Sequence, residues 1–317
     1  MKKKEFSALL AQLNMLSAKQ KVLLAEVLGK EEKVSRPGEL IDEEFSAKPT
    51  CPTCSSTALH KWGVVSGLQR YRCKECRRTF NALTGTSMAR LRKKDLWVEY
   101  SQALADSLSL TKAAQRCGID RTTAFRWRHR FLPYSEPQAV QCSGITEIDE
   151  TYFRESFKGK KVLHRSPRKR GKLEVRGLSK EQIPVVVARD RDGHTCDAVL
   201  QKRSAKEIGL RLGPKIAPDS LLCIDKSRIL IKFAKDENLA FEAIGPKQRK
   251  GREKIFHVQS VNAYHSRLKN WMGRFNGVAT ERLSNYLDWR RLQEMPLQTP
   301  QEWLRTMVKG KIHTKRN

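Results

Sequence analysis

The stretch Gly144–Phe153, GITEIDETYF, decides the fold. Apolar, polar and β-branched residues alternate along it, and a period of two is typical of a β-strand. We predict that this strand delivers the Asp149 carboxylate at its far end. Two later segments could meet that carboxylate: Ser220–Asp225 (SLLCID), an apolar run that ends in an aspartate, and Ser260–Phe275 (SVNAYHSRLKNWMGRF), which has helical periodicity and Asn262 in its first turn.

Asp149, Asp225 and Asn262 offer carboxylate and amide oxygens, the ligands that magnesium prefers. Two hard cations about 3.5–4 Å apart can activate a water or a 3′-hydroxyl and stabilise the leaving oxygen in phosphodiester cleavage. Glu147 shares the strand face of Asp149 and is an alternative ligand, whereas Glu150 points the other way and is interpreted as an ion-pair partner. Taken singly, such an aspartate is more often a cap or a surface residue, and an asparagine near a helix start is by default a cap.

The segment that carries Asn262 has one apolar face, which is typical of a core helix. That face is formed by Val261, Tyr264, His265, Leu268, Trp271, Met272 and Phe275. Asn262 lies off it, on the side of Ser266 and Lys269. We expect neither His257 nor His265 to be a ligand, because magnesium chemistry does not require imidazole.

The chain is strongly basic, with 63 Lys and Arg against 34 Asp and Glu among 317 residues and a formal net charge of +29. A positive field of this size attracts polyanions, and the predicted partner is nucleic acid. A protein that merely resists aggregation, a ribosome-associated protein and a membrane-surface protein are the alternatives. The length corresponds to about two domains, at roughly 100–200 residues each.

The eight cysteines form two close pairs and four scattered thiols, which indicates metal binding rather than a disulfide framework. No run approaches the roughly 18 apolar residues of a membrane span. The N-terminus has polar breaks and no clear cleavage site. We therefore expect a reducing, cytoplasmic location.

The two pairs, CPTC and CKEC, are separated by eighteen residues. Four thiolates satisfy tetrahedral zinc and leave no position for water, so we predict a structural zinc bound by Cys51, Cys54, Cys73 and Cys76. A domain this small needs the metal to fold. The redox alternative would need a thioredoxin-like context that the surrounding sequence lacks.

Residues 95–132 are typical of a helix-turn-helix, although many helical hairpins share the pattern. Asp95 is a candidate cap for a first helix that reaches about Leu108. A turn at Gly118–Asp120 separates TKAAQRC from the Arg-rich RTTAFRWRHRF.

In the second of these helices we predict that Asp120 is the cap and that Ala124, Phe125 and Trp127 are partly buried. The side chains that would face DNA are Arg121, Thr122, Thr123 and Arg126.

From residue 144 the pattern predicts an α/β domain of the RNase H-like kind, a mixed sheet flanked by helices. Two β-rich runs, Ile183–Asp190 and Thr195–Gln201, flank an Asp-Gly turn, which indicates a hairpin. A helix at Ser204–Leu212, the SLLCID strand and the Asn262 helix follow. The loop Lys158–Arg176 has nine Lys or Arg residues and is too polar to bury. Candidate DNA contacts in this domain are Lys160, Lys161, Arg168, Lys169, Arg170 and Lys269.

The predicted segments are an amphipathic helical region (1–29), a linker (30–49), a zinc ribbon (50–90), a helix-turn-helix (91–135), a catalytic domain (144–292) and a basic C-terminal tail (293–317).

A series of motifs in fixed order adds a family resemblance. The motifs are CPTC, YRCKECRRTFNALTGT, EIDETYF, ESFKGKK, PRKRGK, RGLSKEQIPVVVARDRDG and HVQSVNAYHSRLKNWMGRFNGVATERLSNYLDWRR. From about Cys51 to Trp289, the chain resembles bacterial insertion-sequence transposases with an N-terminal zinc ribbon and a DD(E/N) RNase H-like core.

The resemblance implies that Asp149 and Asp225 are the acidic metal ligands and that Asn262 occupies the third position, which is Glu in many relatives and Asn in this subgroup. It also implies cut-and-paste or copying chemistry on terminal inverted repeats, with magnesium or manganese. Two features depart from the pattern: Lys226 follows the second aspartate where relatives more often have glycine, and Asn262 brings no charge and no general base.

Three functions follow as hypotheses. The first is a magnesium-dependent DNA transposase that acts on double-stranded inverted repeats and target DNA. Since two DNA ends must be joined, it would be a dimer or a higher oligomer. The second is an inactive, transposase-derived regulator that only binds DNA, and the third is a structure-specific nuclease.

Overall fold

The computed structural model describes residues 36–133, 141–163, 166, 179, 181–245, 255–297 and 299–308, with residues 12–13, 15–17 and 19–21 near the N-terminus. Most of the predicted N-terminal helical region (1–29) and most of the basic loop therefore lie outside the described residues. The chain folds as two compact units, Met1–Ala82 and Leu83–Asn317. No helix in the described part of the chain has the length and apolar character needed to cross a membrane.

The first unit contains the helix α1 (Pro37–Ser46) and an antiparallel sheet of β1 (Leu59–Val65), β2 (Leu68–Cys73) and β3 (Thr79–Asn81). Pro37 suits the first helical position, and Glu39 accepts the Arg36 N–H at 3.0 Å, so the N-terminus of α1 is capped. Leu40 and Ile41 are buried. Part of the predicted linker is thus a helix, because these apolar residues have a sheet to pack against.

The second unit opens with three helices: α2 (Trp97–Ala105), α3 (Leu110–Arg116) and α4 (Arg121–Phe131). Gly118, with a φ of 59°, makes the turn before α4. The Asp120 carboxylate accepts the Thr122 N–H at 2.7 Å, which is the predicted cap. Asp95 does not cap α2, since it lies in a short 3-10 turn that precedes the helix. The buried face of α4 is formed by Ala124, Trp127, Arg128 and Phe131.

Within the described residues, the larger sheet has the strands β4 (Ile145–Arg154), β5 (Gln182–Asp190), β6 (Thr195–Val199), β7 (Leu221–Asp225) and β8 (Ala240–Ile244). The strand order is β6-β5-β4-β7-β8. Strands β4, β5 and β6 form an antiparallel meander, and β7 and β8 run parallel to β4. This order and these directions are the topology of the RNase H-like fold, so the predicted fold class is confirmed.

Helices cover both faces of this sheet. On one face, α5 (Ala205–Leu212) and α6 (Arg228–Asp236) pack against a core that includes Ile148 and Ile224. On the other face, α7 (Gln259–Gly273) contacts β4 and β5, and α8 (Leu283–Glu294) contacts β6. Side chains of β4 that alternate in sequence therefore face different helices.

A further helix, α9 (Pro300–Val308), lies in the segment predicted as a basic tail. Its side chains Trp303, Leu304 and Met307 are buried, and α9 packs on α2. The helical spacing of these apolar residues explains why this part of the segment folds onto the core.

Aromatic side chains join the helix-turn-helix to the larger sheet. Trp289 Nε1, on α8, donates to the Leu104 carbonyl at 3.0 Å, and Trp271 Nε1, on α7, donates to Ser107 Oγ at 2.9 Å. The Arg128 guanidinium of α4 stacks over the Trp289 ring at 4.9 Å. The three helices and the sheet are therefore parts of one compact unit.

Candidate functional site

The two aspartates lie on adjacent parallel strands. Ile148 of β4 pairs with Ile224 of β7, and Asp149 and Asp225 are the next residues on these two strands. Neighbouring strands of a sheet are about 4.8 Å apart, so the two aspartates are neighbours across the sheet. Both isoleucines belong to the core beneath α5 and α6, and the alternation of strand side chains directs both aspartates to the opposite face. Asp149 is not at the far end of its strand, because β4 continues to Arg154 alongside β5. It is opposite the last residue of β7 instead.

Each carboxylate is held by a nearby backbone amide. Asp149 Oδ1 accepts the Glu150 N–H at 2.8 Å, and Asp225 Oδ1 accepts the Ser227 N–H at 3.2 Å. The Asp149 side chain is 23% exposed, so it can still reach a solvated ligand.

His265, on the buried face of α7, lies beside Asp149, with Nδ1 3.8 Å from Oδ2. Burial, helped by the charge of Lys269, lowers the pKa of His265 to about 4, so the imidazole is neutral near pH 7. Sequence reasoning assigned His265 to the core alone. Its spacing of three residues from Asn262 was the signal that it would lie near the same site.

Asn262 is exposed in the first turn of α7, away from the buried face formed by Val261, Tyr264, His265, Leu268 and Trp271. Ser266 and Lys269 are also exposed, as the helical phase predicted. One turn of helix separates Asn262 from His265, and His265 lies next to Asp149. The structure therefore places Asn262 on the exposed side of α7, one turn from the residue that lies next to Asp149.

Glu147 fixes the N-terminus of α7. It is 1% exposed and accepts the Val261 N–H at 2.9 Å, in the first turn of the helix. The same carboxylate pairs with Arg191 of the β5–β6 turn and with His257 Nδ1 at 3.0 Å. The alternative in which Glu147 is a metal ligand is therefore not favoured, since its oxygens already hold the helix that carries Asn262.

The opposite face of β4 behaves as predicted. Glu150 forms an ion pair with Arg203 at 2.6 Å and accepts the Tyr152 hydroxyl at 2.8 Å. Beyond the end of β7, Asp225 borders a cavity of about 630 Å³ that is also lined by the basic side chains of Arg203, Lys226 and Arg228.

The four paired cysteines of the first unit meet, and all four Sγ atoms lie within 4.8 Å of one another. The Cys51–Cys76 and Cys54–Cys73 Sγ distances are both 3.6 Å. A tetrahedron with Zn–S bonds of about 2.3 Å requires sulfurs about 3.8 Å apart, so the cluster fits a zinc ion.

The two Cys-x-x-Cys segments have the same backbone hydrogen bond. The Cys51 N–H donates to the Ser56 carbonyl at 2.8 Å, and the Cys73 N–H donates to the Arg78 carbonyl at 3.0 Å. The residue after each second cysteine has a positive φ, 59° at Ser55 and 56° at Arg77. Both pairs therefore use the same turn to present their thiols.

Of the candidate DNA contacts, Arg121, Thr122 and Arg126 are exposed on α4. Thr123 is partly buried and lines a cavity of about 380 Å³ with Arg126 and the basic side chains Arg90, Arg92 and Lys93. Phe125, predicted to be partly buried, is 45% exposed, because the buried face of α4 runs through Ala124 and Trp127 instead.

In the second unit, Lys161 and Lys269 are exposed, and Lys160 forms an ion pair with Glu281 at 2.6 Å. Arg168, Lys169 and Arg170 lie outside the described residues.

A second group of metal-binding residue types, which sequence reasoning did not identify, lies at the β5–β6 turn. Potential ligand atoms of Asp190, Asp192 and His194 are within 4.8 Å of one another. Asp190 is buried and accepts N–H groups from His194 and Ser143, at 2.8 and 3.3 Å. These contacts account for Asp190 as part of the turn.

Two solved structures align with this chain at low similarity. A chain of the simian T-cell lymphotropic virus intasome in complex with PP2A regulatory subunit B56 gamma is 9% identical, with a TM-score of 0.31 over 63% of this chain and 70% of that chain. A chain of a pre-cleavage Mos1 transpososome is 12% identical, with a TM-score of 0.22 over 68% and 80%. The RNase H-like assignment rests on the strand order rather than on these neighbours.

Sequence comparisons are more direct. Residues 141–291 match the family described as ISXO2-like transposase domain. The chain is also 28% identical over 277 residues to "Uncharacterized protein in transposable element ISH50" from Halobacterium salinarum, which covers 81% of this chain and 90% of that protein. The predicted resemblance is thus confirmed: residues 141–291 match the ISXO2-like transposase domain, and the chain is homologous to an insertion-element protein.

Proposed function

We propose that this protein is a DNA transposase that binds the terminal inverted repeats of its insertion sequence and cleaves and joins DNA strands with divalent cations. The observation that carries the proposal is the β4–β7 register, which sets Asp149 beside Asp225. Transposase membership is supported by the family match over residues 141–291.

The donor set fits a pair of magnesium ions. Asp149 and Asp225 supply carboxylate oxygens from adjacent strands, and Asn262 supplies a neutral amide oxygen from the exposed start of α7. When bound, two such cations activate a water or a 3′-hydroxyl and stabilise the leaving oxygen. Glu147 keeps α7, and with it Asn262, in place above the sheet.

The remaining basic surfaces would hold DNA. Thr122 and Arg126, one turn apart on α4, are both exposed, and a helix of this kind suits a major groove. Lys226, Arg203 and Arg228 surround the cavity beside Asp225, where they would contact phosphates of the strand being cut.

Zinc held by the four cysteines would have a structural role, since four thiolates leave no open position. Joining two DNA ends requires two active sites, so the working form would be a dimer or a larger assembly on DNA. Chromosomal DNA as substrate would place it in the cytoplasm, at the nucleoid.

The decisive experiment is a nicking assay on a duplex that carries the inverted repeat found beside the gene. The expected result is a nick at the repeat end with magnesium or manganese, which is lost in Asp149→Asn. Asp219→Asn is the matched control, because Asp219 is exposed and precedes β7 at the other end of the strand. Equal nicking by Asp149→Asn and the parent would overturn the assignment.

Other outcomes select the alternatives. Tight binding to one DNA site without cleavage in either metal would identify an inactive regulator. Both Lys226 and the neutral Asn262 motivate that alternative, since each departs from the family pattern. Cleavage of branched DNA regardless of sequence would identify a structure-specific nuclease.

A further inference from the structure

A cavity of about 880 Å³ lies between the helix-turn-helix and the connection from α7 to α8. One wall is formed by Arg121, Phe125 and His129 of α4, and the opposite wall by residues 274–279 and 281–282. Its volume is in the range of sites for ligands with several functional groups. No role assigned above to the metal site or to the zinc cluster uses this cavity.

The cavity is strongly positive. Its basic side chains are Arg121, Arg128, Lys158, Arg274 and Arg282. Glu281 is the acidic residue of the wall, and it forms an ion pair with Lys160 at 2.6 Å. Within the described part of the chain, the side chains of Arg121 and Arg274 make no ion pair, so both are available to an anion.

The wall also has an exposed aromatic face. Phe125 is 45% exposed although α4 has a core for its other aromatic residues, and its ring meets the His129 ring at 4.6 Å. Burial lowers the pKa of His129 to about 4, with Arg282 and Arg128 adding to the effect, so this imidazole is neutral at pH 7. Its Nδ1 atom is buried and has no hydrogen-bond partner among the described residues. An exposed aromatic face in a basic cavity suits a nucleobase with its phosphate.

We propose that this cavity binds one unstacked nucleotide of the DNA, with Phe125 stacked on the base and Arg121 and Arg274 on the flanking phosphates. The inference rests on the proposed function and specifies where a DNA strand would leave the metal site. From Asn262 to Arg274, α7 rises about 18 Å, the length of roughly five nucleotides of B-form strand. Lys269, exposed between these two residues, borders the adjoining groove at Gly277 and Val278.

The test measures the affinity of the full-length protein for two fluorescent oligonucleotides of ten nucleotides, (dT)10 and an abasic strand of the same length. Base stacking is worth about 1–3 kcal/mol per base, so the parent should bind (dT)10 about tenfold more tightly or better. Phe125→Leu keeps an apolar side chain without a π face and should remove that preference, whereas Phe125→Trp should keep it. Arg121→Gln should lower the affinity for both oligonucleotides equally and reduce the salt dependence of binding.

The outcomes separate this inference from the proposed function. If Phe125→Leu keeps the preference for (dT)10, or lowers the affinity for both oligonucleotides to the same extent, Phe125 does not stack on a base and the inference is wrong. If neither oligonucleotide responds to any variant, the cavity serves another occupant, such as a protein partner. In both cases binding of the parent to the inverted-repeat duplex would still support the transposase assignment, and its failure would count against that assignment alone. An exposed control, Leu210→Ala on α5, should change nothing.

Discussion

Glu147 and Asp149 lie two residues apart on one face of β4, but their surroundings differ. Glu147 is 1% exposed and holds three partners: the Val261 N–H, Arg191 and His257. The Asp149 side chain is 23% exposed and would bind metal. We predict that Glu147→Ala destabilises the fold, whereas Asp149→Asn leaves stability nearly unchanged and abolishes nicking.

The size of the effect follows from the contacts. Removal of one partner from a buried ion pair costs about 3–5 kcal/mol. Arg191 is 31% exposed and can be solvated once Glu147 is lost, so we expect a loss near the lower end, about 3 kcal/mol. Glu147→Gln keeps an acceptor for the Val261 N–H but loses the charge, which corresponds to about 1.5 kcal/mol. For a unit of this size, about 3 kcal/mol lowers the melting temperature by roughly 6–12 °C.

Urea unfolding, followed by tryptophan fluorescence, gives the free energy of unfolding for the four proteins, and a nicking assay at a temperature where all are folded gives activity. Glu147→Gln should cleave more slowly than the parent, because α7 holds Asn262 less firmly. If Glu147→Ala were as stable as the parent, the capping role would be refuted. If Glu147→Gln were fully stable but inactive in magnesium, Glu147 would be a metal ligand after all.

Three further predictions concern other parts of the chain. Cys73→Ser should lose zinc and unfold the first unit while the second unit stays folded, which metal analysis and limited proteolysis would detect; unchanged zinc content would contradict the cluster. Leu304→Ala should lower the free energy of unfolding in urea by about 2–5 kcal/mol, because the Leu304 side chain of α9 is buried in the core. An unchanged free energy would contradict this packing and favour the basic tail predicted from the sequence. His129 has a pKa of about 4 in the folded protein, below its unfolded value of about 6.5, so its contribution to stability is present above pH 6.5 and is lost as the pH falls toward 4. His129→Asn should therefore reduce the difference in urea midpoint between pH 7 and pH 5; an unchanged difference would show that other groups cause it.

The sequence by itself determined the local elements. The period of two in GITEIDETYF, the Asp-Gly turn and the Asp120 cap each depend on residues a few positions apart, and each is present in the structure. The same holds for the cysteine pairs, since ligand type and spacing are local properties. The charge of +29 indicated a polyanionic partner for the same reason, because it needs no fold to be counted.

Only the tertiary structure decided how these elements meet. The pairing of Ile148 with Ile224, which sets Asp149 beside Asp225, joins residues 76 positions apart, and no local pattern encodes that register. The prediction for Phe125 was wrong because its exposure depends on which face of α4 packs against α2 and α8. The helices α1 and α9 were not predicted because short segments with a few apolar residues become helical when those residues pack against the rest of the fold. Glu147 is the clearest case: alternation placed it on the same strand face as Asp149, but three partners from distant segments make it the support of α7.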